Sequence, residues 1–385
     1  MVFLHFFSYG SVTPILSLYL MKELGFSGSQ VGMVLAVGAV SSIVSPLISS
    51  FIADKLICSE RLFAIGHLMG SASMFFLYFT GNFIPFLLGY LWYMAFVGPT
   101  IPLSDTIIFH HISDRRHYGK IRVWGTLGWI SAAIFLGFFI MRNSGSFNAA
   151  FLISSVISLI LGFFVFTIPR TAVRGYRREF LPLSSIRVLL KPQILFLTVI
   201  TFLIFFADRF YFYGSSPYLQ SLGIEEKFIM PFLSIGQILE IFAMLTLGFF
   251  LTKYSAKKIL LFGILVNGMR YGLFLFFDTK LMAIFAVACH GLAYTFIFST
   301  IFIFLDYQSD SESRAGVHQL FRIIYLGFGT LAGNLTAGFV QDNLNIANDY
   351  KVFWLIPMTL SFLVFAMMIF FPEKSAKKVQ STNSN

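Results

Sequence analysis

Six ionisable side chains stand inside stretches of this chain that otherwise read as lipid-soluble helix: Arg122, Asp208, Arg209, Glu240, Arg270 and Arg322. An ionised group at the centre of a membrane helix costs about 2.5–3.5 kcal/mol even on the lenient insertion scale, so such groups normally face a bundle interior or a water-filled path. Their spacing narrows the chemistry. Arg122, Thr126 and Trp129 lie at i, i+4 and i+7 and share one helical face. A guanidinium, a hydroxyl and an indole together suit a solute with sugar hydroxyls and a flat ring, unless Arg122 merely extends to the nearby membrane surface. Gln237 and Glu240 lie at i and i+3, again on one face. There the amide can donate and accept, and the carboxylate can accept two hydroxyls or a proton. The bland alternative pairs Glu240 structurally with Arg270. Asp208 and Arg209 are adjacent, so they point about 100° apart. Asp208 is expected toward a cavity, with Tyr211 on its face at i+3, and Arg209 toward another helix or the surface.

Proton coupling needs a carboxylate whose pKa rises on dehydration and falls when an opposite charge approaches. Glu240 and Asp208 are the midplane candidates for it, whereas Asp105 and Asp306 fall near helix ends, where gating or loop pairing is expected. Other chemistries find little support. His110 and His111 with Asp114 suggest acyl transfer, but no nucleophile or glycine turn accompanies them. No phosphate-cradling glycine loop with a lysine is present, which speaks against ATP-driven transport, and no zinc-ligand spacing occurs.

The elements that must position these residues are long apolar runs. The chain has 385 residues, 57% hydrophobic and 11% charged, against roughly 25% charged in a soluble protein. Runs of about 20 apolar residues, enough to cross a bilayer, recur along the whole length. They are too continuous for an outer-membrane barrel, so the fold class is an all-α polytopic membrane protein. Twelve spans are expected at 1–23, 28–53, 61–80, 82–108, 118–141, 148–168, 193–221, 227–251, 258–277, 280–305, 317–340 and 350–371. No charged leader and small-residue cleavage site precede them, so a cleaved signal peptide is not expected. Cys58 and Cys289 suggest no disulfide or metal framework.

The net charge of +10 is a topology signal and not a nucleic-acid footprint. Eighteen basic residues fall in one set of loops and the tail, against five in the other set. The positive-inside rule then puts both termini in the cytoplasm. The polar stretch 169–192 carries six basic residues and three prolines and divides the chain near its middle. It reads as a linker between six-helix halves at 1–168 and 193–371, followed by a tail at 372–385. An internal repeat supports this division. Tyr9-Gly10-Ser11, Pro14 and Leu24-Gly25-Phe26 are echoed by Tyr213-Gly214-Ser215, Pro217 and Leu222-Gly223-Ile224. Gly125-Thr126-Leu127-Gly128 is echoed by Gly329-Thr330-Leu331-Ala332-Gly333 at the same offset of about 200 residues. Glycines 32, 38, 125, 128, 329 and 333 fit close helix approach. Two repeated halves with a midplane site is the transporter arrangement.

Twelve spans, cytoplasmic termini and a central basic loop resemble the major facilitator superfamily. Asp54-Lys55 stands where that superfamily's loop motif has its acidic-basic pair, although Ser50 replaces the usual glycine and the following basic run is missing. The chain is more specifically similar to the bacterial nucleoside:proton symporters. The resemblance rests on Ser59-Glu60-Arg61-Leu62-Phe63 with His67-Leu68, Ile121-Arg122-Val123-Trp124-Gly125-Thr126 and Ser234-Ile235-Gly236-Gln237-Ile238-Leu239-Glu240. Met269-Arg270-Tyr271-Gly272-Leu273-Phe274 and Gly291-Leu292-Ala293-Tyr294-Thr295-Phe296 complete it.

That resemblance implies proton-coupled nucleoside uptake through a bacterial inner membrane by alternating access, in a working monomer with no cofactor. It assigns nucleoside contacts to Arg122, Thr126, Trp129, Gln237 and Glu240; beside them Trp129 and Tyr294 are expected to stack on the ring and Thr295 to join the substrate-binding set. Asp54, Lys55, Asp105, Arg270 and Asp306 are left as gating or structural. Two departures stand out. The symporters have neutral polar side chains around Asp208, and their span-ten pattern has a carboxylate where this chain has Thr295. Asp208 then replaces the missing charge, or the substrate differs. A sugar or aromatic-acid symporter of the same superfamily, or a non-transporting sensor derived from it, are the alternatives.

Overall fold

A computed structural model describes residues 1–55, 57–112, 117–142, 146–171, 183–310, 313–344 and 350–372. Among the described residues, twelve long helices follow in chain order: α1 (Val2–Lys22), α2 (Gly28–Lys55), α3 (Ser59–Tyr78), α4 (Phe83–His111), α5 (Tyr118–Arg142), α6 (Ala149–Val165), α7 (Pro192–Ser221), α8 (Glu226–Lys253), α9 (Ala256–Phe276), α10 (Lys280–Gln308), α11 (Gly316–Asn343) and α12 (Lys351–Ile369). Nine helices among the described residues are long and apolar enough to cross a membrane. Polarity explains why α3 is not among them. Glu60 and Arg61 open it, and its His67, Ser71 and Ser73 are buried inside the protein, so charged and hidden polar groups together lower its hydropathy.

The chain divides into two compact units, Met1–Arg178 with Ile224–Ser234 and Glu179–Gly223 with Ile235–Asn385. In the first, α1 packs on α5 and α6, and α3 packs on α4 and α6. In the second, α7 packs on α11 and α12, and α9 packs on α10 and α12. The same four pairings thus recur six helices later, which is the structural content of the sequence repeat.

The repeated glycines have matching jobs. A Cβ on Gly125 or Gly128 of α5 would strike Phe6 or Phe3 of α1. A Cβ on Gly329 or Gly333 of α11 would meet Phe205 or Arg209 of α7. Each pair lets one helix lie almost backbone to backbone on the first helix of its unit. Gly25 and Gly223 have φ of +67° and +73°, the left-handed region that an L side chain resists. They turn the chain at the ends of α1 and α7, which is why Leu-Gly-hydrophobic recurs there. Gly38 does not share this role, because its Cβ position faces open space among the described residues.

The stretch expected as a polar linker contains a short helix, Leu183–Leu189. Its Val188 and Leu189 are buried in the core of the second unit, and Ser185 Oγ donates to the Ser313 carbonyl at 3.0 Å. Apolar residues spaced along one turn pin it there, a signal masked in the sequence by the surrounding basic residues. The α10 and α11 helices each contain a widened π turn, at Thr295–Ser299 and Ile323–Phe328. Such turns shift the register of everything beyond them and often mark functional positions.

Candidate functional site

In the first unit, α5 carries Arg122, Thr126 and Trp129 as half-buried residues against α1. The Arg122 guanidinium lies over the Phe6 ring at 4.2 Å, and its Nη1 reaches the Cβ position of Gly125, one turn further into the helix. Arg122 therefore runs inward along α5 and does not extend back to the helix start. Trp129 packs against the Gly10 backbone and beside Tyr9, with ring centres 5.9 Å apart. Gly10 is the residue that makes room, since a Cβ there would sit 3.1 Å from Trp129. The i, i+4, i+7 face is thus a single surface lined by Phe6 and Tyr9 of α1.

The second unit holds the charges. Asp208 is 3% exposed and Arg270 is fully buried. Arg270 Nη2 donates to Asp208 Oδ1 at 2.6 Å and to the Tyr271 hydroxyl at 2.5 Å. Tyr271 in turn donates to the Ala207 carbonyl at 2.9 Å. Arg209 Nη2 donates to the other oxygen, Asp208 Oδ2, at 2.9 Å. Adjacent residues of one helix meet here because the long arginine stem covers the 100° between them: its base packs on Gly333 of α11, and its head folds back over Phe205 and Phe212 at 4.1 and 4.5 Å. Arg209 thus goes to another helix, as expected, yet also serves Asp208. Arg270 is the ion-pair partner of Asp208, the partnership that the bland alternative gave to Glu240. Arg322 lies apart, over the Phe302 ring at 5.3 Å.

Sequence reasoning missed His290 of α10. It is 3% exposed and stacks on Tyr211 with ring centres 4.5 Å apart and planes inclined by 16°. Its Nδ1 accepts from Arg270 Nη1 and lies 3.7 Å from Asp208 Oδ1. One signal could have found it: His290 precedes Tyr294 by four, on the same face. Also missed was a buried seam in the first unit, where His5 Nδ1 and His67 Nε2 share a hydrogen bond of 2.8 Å. Ser158 Oγ continues it to Ser8 Oγ at 2.6 Å, tying α1, α3 and α6 together.

The α8 face lies against α10. Gly291 allows this, because a Cβ there would fall 2.5 Å from Glu240 N and deeper still into the Gly236 carbonyl oxygen. Gln237 Oε1 is buried with no hydrogen-bond partner among the described residues. Thr295 Oγ1 donates to the Glu240 carbonyl at 3.4 Å, and the fully buried Thr295 opens the π turn of α10. Tyr294, just before it, packs beside His290 with ring centres 6.0 Å apart. Gln237, Glu240, Tyr294, Thr295, Asp208, Arg270 and His290 therefore belong to one polar region of the second unit.

The remaining candidates sit elsewhere. Asp105 accepts from the Tyr118 hydroxyl at 2.9 Å, joining α4 to the start of α5. Asp306 is half exposed and pairs with Arg314 at 3.3 Å and His318 at 3.5 Å across the α10–α11 connection. The side chains of Asp54 and Lys55 lie outside the described residues. His111, set aside as a catalytic candidate, bonds Glu60 Oε1 at 3.3 Å. Glu60 Oε2 accepts from the Thr171 amide and hydroxyl, both at 2.9 Å, and so fastens the chain leaving α6. Burial of Glu60 alone would raise its pKa, but these hydrogen bonds outweigh it and hold the carboxyl below its usual value.

A sequence model described as "Nucleoside H+ symporter" matches residues 1–376. The chain belongs to this family. Its similarity extends to named relatives at nearly full length. YegT of Escherichia coli (strain K12), a nucleoside transporter by provisional name only, is 28% identical over 97% of this chain and 92% of its own. The xanthosine permease of the same organism is 25% identical over 96% and 93%. A crystal structure of a mutant of the nucleoside transporter NupG superposes with a TM-score of 0.88 at 21% identity, covering 96% of this chain and 97% of that one. The family makes this a transporter embedded in a membrane and not an enzyme, and the fold is of the major facilitator type.

Proposed function

We propose that the protein takes up nucleosides together with protons by alternating access, the six-helix halves 1–168 and 193–371 rocking about the solute. The observation that carries this reading is Gln237. A buried amide oxygen left without a donor costs about 1–3 kcal/mol, and a solute hydroxyl or base N–H supplies that donor. It shares a helical face with Glu240, whose carboxylate accepts two sugar hydroxyls or a proton. Arg122, Thr126 and Trp129 of the first unit offer a fork, a hydroxyl and a flat indole to the same class of solute. Tyr294 stacks on its ring, and Thr295 holds the α8–α10 contact beside it. The names of the relatives support nucleosides as the substrate class.

Glu240 and Asp208 are the carboxylates on which the coupling depends. Asp105 and Asp306 act at helix ends, as do Asp54 and Lys55 at the end of α2. The protein works as a monomer in the bacterial cytoplasmic membrane, with both termini inside, as the distribution of basic residues supports.

Uptake of labelled uridine and adenosine, by cells lacking their own carriers, tests the reading. Saturable uptake that a protonophore abolishes is the expected result. No uptake of either, in cells whose membrane contains the protein, overturns nucleoside transport. In such cells Glu240→Gln should lose accumulation against a gradient while keeping solute exchange.

A further inference from the structure

Three groups in the second unit compete for two positions. Asp208 Oδ1 accepts from Arg270 Nη2 at 2.6 Å and lies 3.7 Å from His290 Nδ1. A guanidinium has donors only, so the contact between Arg270 Nη1 and His290 Nδ1 requires Nδ1 to be the acceptor. The imidazole in this arrangement is neutral, with its proton on Nε2. A proton placed on Nδ1 would set two donors face to face, and the Arg270–His290 bond could not survive. The carboxylate available to the new N–H is Asp208, whose Oδ1 lies 3.7 Å away.

We infer that His290 carries the coupled proton, that Asp208 is its counter-ion, and that Arg270 is the cation displaced when the proton arrives. The inference rests on the proton-coupled reading and names the group through which coupling acts. A proton from water forms the Nδ1–H bond, the Arg270 Nη1 contact breaks, and the imidazolium takes Asp208 Oδ1. On release, Nδ1 returns the proton to water and accepts from Arg270 again.

The surroundings make these two arrangements distinct. From α7 the imidazole meets Asp208 and, beyond it, Arg209, with the Tyr211 ring stacked on its face. From α9 it meets Arg270, whose neighbour is Tyr271. Tyr294 follows on its own helix, with ring centres 6.0 Å apart. From α8 the Gly236 Cβ position is 3.5 Å from His290 Cδ2, and Glu240 lies one turn along that helix. With neutral His290, the trio Asp208, Arg209 and Arg270 carries one net positive charge; protonation makes it two. A second positive charge among side chains this deeply buried is tolerated only if Arg270 finds another acceptor. An oxygen-rich solute provides one, and Arg270 Nε is already buried without a partner among the described residues. Proton and solute therefore favour each other's binding, as symport requires.

The test is nucleoside binding and transport by the full-length protein in proteoliposomes, using labelled uridine and adenosine. Wild type should bind about tenfold more tightly near pH 6 than near pH 8, within the usual range of coupling. His290→Gln and His290→Phe, the latter keeping the stack on Tyr211, should bind without pH dependence. They should retain counterflow and lose accumulation. Accumulation by either variant with the wild-type pH profile overturns the inference and leaves nucleoside symport standing. Wild type that accumulates nothing under a proton gradient overturns both. Should neither variant fold, nitrogen-15 histidine spectra of wild type decide the matter. Nucleoside added near pH 6 must increase the imidazolium signal, and an unchanged signal with nucleoside bound refutes the assignment.

Discussion

Replacing Asp208 with asparagine removes the only negative charge that Arg270 contacts among the described residues, while leaving the shape of the side chain almost intact. Removing one partner of a buried ion pair costs about 3–5 kcal/mol, because the other charge stays buried and unpaired. The two arginines are not equally affected. Arg270 is fully buried, so it bears the whole penalty. The Arg209 side chain is 15% exposed and keeps its contacts with Phe205 and Phe212, which retain about 0.5–2 kcal/mol of cation–π attraction. A loss of about 4 kcal/mol follows. With an unfolding entropy of about 2.1 cal/mol/K per residue, this corresponds to a midpoint lowered by about 5 °C if the whole chain unfolds together, or about 10 °C if the second unit unfolds alone. Thermal unfolding of Asp208→Asn in detergent measures it. The double variant Asp208→Leu, Arg270→Met removes both charges in favour of apolar side chains, an exchange that is often neutral, and should be more stable than Asp208→Asn. A shift of less than about 1 °C for Asp208→Asn, or a double variant less stable than the single one, would refute the buried-pair reasoning.

Gly291→Ala should destabilise by about 1–3 kcal/mol through overpacking against the α8 backbone, whereas Gly248→Ala, with open space at its Cβ position, should be neutral or gain up to about 1 kcal/mol of helix propensity; thermal midpoints of the two variants separate these outcomes. Glu60 has a folded pKa below its unfolded value, so its contribution is fully present above the unfolded pKa of about 4.3 and is lost as pH falls through the folded value. Wild type should accordingly exceed Glu60→Gln by a constant margin at neutral pH, and that margin should shrink below about pH 4; a margin that grows on acidification contradicts the assignment. Arg122→Lys keeps the charge but loses the planar stack on Phe6, and nucleoside affinity in equilibrium binding should fall about 2–30-fold. An unchanged affinity would separate Arg122 from solute recognition.

Much of the fold was legible from local rules. Long apolar runs require helices in a bilayer, because a backbone without water must bond to itself. The repeated Leu-Gly-hydrophobic and paired-glycine motifs announced two related halves, and the glycines proved to be chain turns and helix contacts. The α3 helix shows the limit of hydropathy: buried His67 and Ser71 read as reduced membrane character although they face protein. The short linker helix shows another, since its two buried apolar residues sit among charges that dominate the composition.

The sequence by itself determined which side chains are costly in a membrane, and which of them share a face. Arg122 with Trp129, and Gln237 with Glu240, follow from helical period alone. Only the tertiary structure decided what stands opposite each face. Asp208 meets Arg270 across 62 positions of chain, Arg209 bends back along its own helix, and His290 enters between them from α10. Periodicity is a property of one helix, whereas a buried charge is matched by whichever neighbour packing brings within about 3 Å. That neighbour is set by the glycines that let helices approach.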